Sequence, residues 1–191
     1  MTIVLLGESG CGKSSVTNEL CKNYNYEKIV TYTTRLPREG EVNGEDYFFV
    51  SDEEFNNLKE QNFFLETATY NNWQYGTPKD QFSAINDKNQ IAILTPSGLR
   101  SLCRTRKIFY AFYLNVSFYL NVSRRERLIR ILKRGDDIEE SYRRNLSDVG
   151  MFDGIEKEVD YTINVESKNV QEIAKQISDY VNRIRRTYFG E

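Results

Sequence analysis

The residues with the plainest chemistry stand near the start of the chain: Gly7-Glu8-Ser9-Gly10-Cys11-Gly12-Lys13-Ser14, directly after the apolar run Ile3-Val4-Leu5-Leu6. Their spacing is G-x-x-x-x-G-K-S, the P-loop pattern. Glycines here let successive backbone N–H groups turn inward on an anion, Lys13 brings a charge to β- and γ-phosphates, and the Ser14 hydroxyl suits Mg2+. A helix that begins at the lysine adds the positive end of its dipole. A chance match in a glycine-containing loop is the competing reading. Context decides against it: a buried-type strand enters the loop, and a segment with Val16, Leu20 and Cys21 at helical spacing leaves it. Residues 7–14, with Ser15 following, are read as a nucleoside-triphosphate site.

Positioning these groups takes a chain of alternating strands and helices. The helix after the loop is expected to run to about Asn23, and Glu27 to Tyr32 reads as a second strand with Ile29 and Val30 buried. Residues 33–47 are polar and broken by Pro37, Gly40 and Gly44, a loop leading into a strand from Tyr47 to Val50. Ser51 and Glu54 have capping-box spacing for a short helix to about Gln61. Phe63–Tyr70 and Trp73–Tyr75 read as strands joined by a turn at Asn71-Asn72, and Thr77-Pro78 as the start of a helix. A buried strand follows at Gln90–Leu94, then a helix at Leu99–Arg106 and a strand from Ile108.

In that region Phe112–Ser117 is repeated without change as Phe118–Ser123. A shift of six presents the same side chains to the same face of a sheet, so one copy suffices. The second copy is expected to keep the structural role, because Ser123 and Glu126 can cap the next helix. That helix carries Leu128, Ile131 and Leu132 on one face and Arg127, Arg130 and Arg134 on another, the latter read as a solvated face. After Gly135-Asp136-Asp137 a further helix, over Glu139–Asp153, brings Arg143 and Arg144; two arginine groups joined by a short turn can close like a flap. A last strand at Tyr161–Val165 and a terminal amphipathic helix capped by Asn169 complete an α/β pattern with a parallel sheet.

Composition narrows the function. With 26 Lys and Arg against 28 Asp and Glu, the net charge is −2, which gives no basic field for polynucleotide. The absence of any histidine removes Ser-His and Cys-His nucleophile systems, whereas phosphoryl transfer relies on positioning and charge neutralisation. The three cysteines, Cys11, Cys21 and Cys103, lack paired spacing and suggest a reducing cytoplasm. The N-terminal apolar run is too short for a signal sequence or a membrane span.

Together these residues carry a resemblance. Thr33-Thr34-Arg35-Leu36-Pro37-Arg38-Glu39-Gly40-Glu41-Val42-Asn43-Gly44-Glu45-Asp46-Tyr47-Phe48-Phe49 resembles the nucleotide-monophosphate motif of the guanylate kinase family, and the likeness runs over essentially the whole chain. It implies a three-layer P-loop NTPase fold with a central parallel sheet. The core would be residues 1–32, 77–133 and 154–191, with a small inserted α+β GMP-binding subdomain at 33–76 and a helical lid at 134–153. The implied activity is ATP-dependent phosphorylation of GMP, with dGMP as a second acceptor, Mg2+ as the ion, and a monomer or homodimer in the cytoplasm.

By the family pattern Arg35, Arg38, Tyr47 and Tyr75 would hold the GMP phosphate. Glu66 and Thr31 would read guanine, with Thr77 beside them. Chemistry agrees: a carboxylate can accept from guanine N1–H and N2–H2 while a hydroxyl donates to O6. Lys13, Arg38, Arg130, Arg134 and either Arg143 or Arg144 would act on the transferring phosphoryl group. Two departures stand out: Thr95 and Ser97 occupy the places of two family aspartates, and Asn145 lies where the last lid arginine is often found. Two other readings are a kinase of this architecture acting on a sugar phosphate such as ribose phosphate, and a non-catalytic guanylate-kinase-like module that binds a phosphorylated or acidic partner through Arg35 and Arg38.

Overall fold

The computed structural model describes residues 1–38, 40–70, 72–81, 89–108, 115–135 and 137–190. β1 (Thr2–Leu6) has Ile3, Val4, Leu5 and Leu6 entirely buried, as a continuous apolar run demands of a strand covered on both faces. After the phosphate loop, α1 (Lys13–Asn23) begins at the lysine and ends where expected. In order there follow β2 (Tyr26–Lys28), β3 (Tyr32–Thr33), β4 (Phe48–Phe49), α2 (Asp52–Glu60), β5 (Phe64–Tyr70), β6 (Trp73–Pro78) and β7 (Asn89–Ile93). The remainder is α3 (Pro96–Ile108), β8 (Asn115–Asn121), α4 (Arg124–Arg134), α5 (Ile138–Asp148), a 3-10 turn (Ile155–Lys157), β9 (Tyr161–Asn164) and α6 (Val170–Phe189). The strand order is β2-β7-β1-β8-β9 in a five-stranded sheet, with β8 and β9 parallel, and β4-β3-β6-β5 in a four-stranded one.

The chain divides into two compact units, the first Met1–Val4 with Lys28–Asn115 and the second Leu5–Glu27 with Val116–Glu191. In the first, β5 and β6 pair antiparallel with Glu66 opposite Thr77, β3 pairs β6 with Thr33 opposite Tyr75, and β4 runs parallel to β3. Gly76 is required there: a Cβ on it would sit 2.7 Å from the Phe64 ring. That ring in turn stacks on Phe55 of α2 at 4.6 Å between centroids. Ser51 caps α2 by accepting from the Glu54 N–H at 3.1 Å, as its spacing implies.

Three expectations are corrected in this unit. Thr77 and Pro78 do not open a helix; they end β6, because Thr77 is paired across to Glu66. α3 runs on to Ile108, so Ile108 is helical where a strand was expected to start; among the described residues the next strand starts at Asn115. The single strand expected over Glu27–Tyr32 is two, β2 and β3, which belong to different sheets. Between them Ile29 is buried and its N–H still donates to the Ile91 carbonyl at 2.8 Å, while Val30 is only half-buried. Asn71, residues 82–88 and residues 109–114, which carried parts of the turn, helix, strand and repeat readings, lie outside the described residues.

In the second unit β8 takes residues from both copies of the repeat, and equivalent serines do different work. Ser117 donates through N–H and Oγ–H to Asp160 Oδ2 at 2.7 and 2.6 Å. Ser123 caps α4, accepting from the Glu126 N–H at 3.4 Å, so the second copy does hold the capping role. α5 stops at Asp148, short of the expected Asp153, where Val149 turns extended and Gly150 takes a φ of 77°. α6 opens on a full capping box, Asn169 with Glu172, and packs Ile173, Ala174, Ile177 and Val181 inward.

Candidate active site

The phosphate loop belongs to the second unit. Gly10 has a φ of 82°, and a Cβ on it would meet the Arg127 carbonyl oxygen at 2.8 Å, so both conformation and the closeness of α4 demand glycine. The Lys13 ammonium donates to the carbonyls of Gly7 at 2.5 Å and Glu8 at 3.2 Å, folded back over the loop. Cys11 is buried with its thiol 3.8 Å from that ammonium. Gly12 caps α1, and Ser14 and Ser15 are exposed in its first turn. Among the described residues no three Asp, Glu, Cys or His side chains gather to hold a metal. One hydroxyl, Ser14, at the helix start fits an Mg2+ that arrives on phosphates, since that ion takes most of its ligands from substrate and water.

Of the arginines expected to act from the lid, Arg130 reaches the loop: its Nη1 donates to the Cys11 carbonyl at 3.4 Å and its Nη2 to the Val165 carbonyl at 3.5 Å. Glu126 holds its Nε at 3.1 Å. Arg134 is exposed in the last turn of α4. In α5 the paired candidates separate: Arg144 is buried and bonded within its own helix to Glu140 and Ser141, whereas Arg143 is exposed and pairs with Glu140 at 3.5 Å. Asn145 is buried, its Oδ1 accepting from Arg124 Nε at 2.9 Å.

The solvated face expected of α4 is not all solvated. Arg127 and Ile131 are buried and Leu132 is 64 % exposed, because Arg127 finds two carboxylates, Glu8 at 3.3 Å and Asp148 at 3.5 Å. Asp148 also accepts the Ser9 N–H at 2.8 Å, and the Tyr119 hydroxyl donates to Glu8 at 2.9 Å. Burial first, and then the Glu8 carboxylate, holds that hydroxyl far above its ordinary pKa. These groups line a cavity of about 440 Å3 with Arg124 and Asn145.

The acceptor-site candidates all lie in the first unit. Arg35 is 4 % exposed, its guanidinium 5.3 Å from the Tyr47 ring and 5.5 Å from that of Phe49. Glu41 gathers both arginines: it pairs with Arg35 at 2.9 Å and Arg38 at 3.6 Å, and accepts the Arg38 N–H at 2.7 Å. Tyr47 and Tyr75 meet edge to face at 6.1 Å. Burial, with the two arginines opposing it, holds the Tyr47 hydroxyl above its ordinary pKa. Four residues expected to hold one phosphate therefore do cluster.

A second group lies on β5, β6 and the start of α3. Thr77 Oγ1 donates to Glu66 Oε1 at 2.6 Å, and both residues are buried. Glu66 Oε2 has no partner among the described residues, and a Cβ on Gly98 would sit 3.0 Å from it and 3.4 Å from Thr95 Oγ1. Thr95 accepts the Gly98 N–H at 3.1 Å and lies 3.0 Å from the Ser97 hydroxyl. Thr31 is also buried. An unpartnered carboxylate oxygen in such a place has a cost, and it is felt as a pKa: burial pushes Glu66 up to about 7, against the opposing Thr77 hydrogen bond.

The sign of the resulting pH dependence follows. Between the ordinary carboxyl value and about 7 the folded chain keeps a proton that the unfolded chain releases, so Glu66 makes stability fall as pH rises across that window. The effect is on the order of 3 kcal/mol, several degrees of melting temperature for a chain this size. Melting curves of the wild type and Glu66→Gln between pH 5 and 8 test this: the variant should become the more stable of the two as pH rises, and parallel curves would contradict it.

Sequence reasoning gave Glu41, the centre of the arginine cluster, no role. It also missed Arg127, Asp148 and Tyr119 around the loop. For Arg127 no local signal existed, since its partners lie more than 20 positions away in either direction.

The strand-loop-helix of P-loop spacing in one unit, and in the other a cluster of arginines and tyrosines and a buried carboxylate, are the features of a P-loop phosphotransferase. The family model for guanylate kinase matches residues 1–184. The chain is 36 % identical over 186 residues to the guanylate kinase of Clostridium tetani, covering 97 % of this chain and 83 % of that protein. It is 33 % identical to that of Prochlorococcus marinus, covering 92 % and 93 %. The crystal structure of guanylate kinase from Anaplasma phagocytophilum superimposes with a TM-score of 0.70 at 24 % identity, covering 96 % of this chain and 85 % of that one. The chain belongs to the guanylate kinase family.

Proposed function

We infer that this chain transfers the γ-phosphoryl group of ATP to GMP, giving ADP and GDP, with dGMP as a second acceptor. The observation that carries the reading is the buried Glu66 carboxylate, one oxygen held by Thr77 and the other unpartnered among the described residues, a fit to the adjacent N1–H and N2–H2 donors of guanine. The Thr31 hydroxyl would donate to O6. Arg35, Arg38, Tyr47 and Tyr75 would take the acceptor phosphate, displacing part of the arginines' attachment to Glu41.

The loop amides and Lys13 would hold the β- and γ-phosphates, the lysine exchanging loop carbonyls for phosphate oxygens. Ser14, with the phosphates, would hold Mg2+, which would supply charge neutralisation. Arg130, already at the loop, is the best placed lid arginine, with Arg134 one turn on and exposed Arg143 freer to move than buried Arg144. Transfer needs donor and acceptor oxygens in line and water excluded, and no covalent intermediate. The sugar-phosphate alternative leaves the Glu66 carboxylate without a use, and the binding-module alternative leaves the phosphate loop without one.

The direct test of the chemistry is 31P NMR of the protein with Mg-ATP and GMP. GDP and ADP should appear in equal amounts; ATP consumption without GDP would contradict the reading.

A further inference from the structure

One turn of the phosphate loop, Glu8-Ser9, is tied to three elements by part-buried polar contacts. α4 supplies Arg127, 5 % exposed, and α5 supplies Asp148, 6 % exposed. β8 supplies the Tyr119 hydroxyl, which donates to Glu8 at 2.9 Å. The guanidinium stands between the two carboxylates, 3.3 Å from Glu8 and 3.5 Å from Asp148, and Nη1 also donates to the Ser9 carbonyl at 3.3 Å. Asp148 in turn accepts the Ser9 N–H at 2.8 Å.

A buried guanidinium carries a desolvation cost of several kcal/mol, recovered only where its partners are well placed. Here the partners are the loop itself and the carboxylate that holds the loop. Without Arg127 the half-buried Glu8 carboxylate and the buried Asp148 carboxylate would both lose their cation beside a candidate phosphate site, and the loop would lose its attachment to the Arg127 side chain of α4.

We propose that Arg127 is a positioning residue for ATP: acting through Glu8, Ser9 and Asp148, it holds the loop in the form in which its N–H groups converge on phosphate. Ordering is then complete before the nucleotide arrives, which raises affinity without any contact to it. It also cancels one negative charge next to the incoming polyphosphate. Both effects fall on ATP and not on GMP. The proposal rests on the ATP reading given above.

The test compares wild type, Arg127→Met, Arg127→Lys and Asp148→Asn by calorimetric titration with ATP, steady-state KM for ATP and GMP, and thermal melting. Arg127→Met should weaken ATP binding by about tenfold or more, in the range expected for truncating one partner of a buried charge pair. KM for GMP should stay within about twofold, and Arg127→Lys should recover part of the ATP affinity. Asp148→Asn keeps an acceptor for the Ser9 N–H and loses the charge, so its ATP loss should be smaller than that of Arg127→Met.

ATP affinity unchanged in Arg127→Met, or ATP and GMP weakened alike, overturns the proposal. If Arg127→Met does not fold, Arg127→Lys and Asp148→Asn decide by the same criterion, a selective loss for ATP. The two readings separate cleanly. A wild type that binds ATP and does not phosphorylate GMP overturns the functional reading while the ATP affinities still judge Arg127. A wild type that phosphorylates GMP, with Arg127→Met binding ATP normally, overturns only the positioning role.

Discussion

Lys13→Met is expected to lower turnover by a factor of about a thousand or more, the scale seen when a charge that stabilises a transferring phosphoryl group is removed. The fold should survive. Lys13 is not part of the core; among the described residues its ammonium bonds to loop carbonyls at Gly7 and Glu8 and lies near the Cys11 thiol. Methionine keeps most of the stem and its helix propensity at the first position of α1. The loop's outer attachments, Ser9 to Asp148 and Glu8 to Tyr119, do not involve Lys13 and should persist. Steady-state kinetics with a melting curve check this. An inactive variant that melts with the wild type supports the account; turnover within about tenfold of wild type would remove Lys13 from the chemistry.

Glu66→Gln should lower kcat/KM for GMP by at least about a hundredfold, since two hydrogen bonds to a charged acceptor are at stake at roughly 1.5–3 kcal/mol each. Glutamine offers one acceptor and an amide donor, which opposes one of the two guanine N–H groups. The same amide suits the donor and acceptor edge of adenine, so the AMP to GMP activity ratio should rise. The pH profile gives a second signature. Only the ionised carboxylate accepts both guanine donors, and in the free protein burial holds Glu66 at about 7. KM for GMP in the wild type should fall as pH rises from 6 to 8, and the part of that dependence due to Glu66 should vanish in Glu66→Gln. Unchanged guanine preference would show that Glu66 does not read the base.

Local chemistry was legible in the sequence. The phosphate loop, the helix that starts at Lys13, and the caps at Ser51, Ser123 and Asn169 each depend on neighbours a few positions away, and each is where it was expected. The clustering of Arg35, Arg38 and Tyr47 was legible because one long motif carries all three, and that of Tyr75 because the family resemblance named it. What failed depended on distant partners. Thr77-Pro78 has the residue types of a helix start, yet pairing across to Glu66 made it strand. Arg127 has the spacing of a solvent-facing charge, yet Glu8 and Asp148, 119 positions before it and 21 after, draw it into the interior. Helical periodicity reports which residues share a face, not which carboxylates that face will meet. The departures at Thr95 and Ser97 also gain a physical meaning: Thr95 serves as the cap of α3, accepting the Gly98 N–H, with Glu66 Oε2 close to the same glycine. On the proposed function, base recognition would rest on Glu66 and neighbouring hydroxyls, without further carboxylates at those two positions.

The measurement that bears most directly on the central claim is ADP production with Mg-ATP across parallel acceptors: GMP, dGMP, AMP, UMP, CMP, dTMP and ribose phosphate. Selective turnover of GMP, with dGMP second, is the predicted result. Equal use of AMP, preference for ribose phosphate, or ATP binding with no acceptor turned over would contradict it.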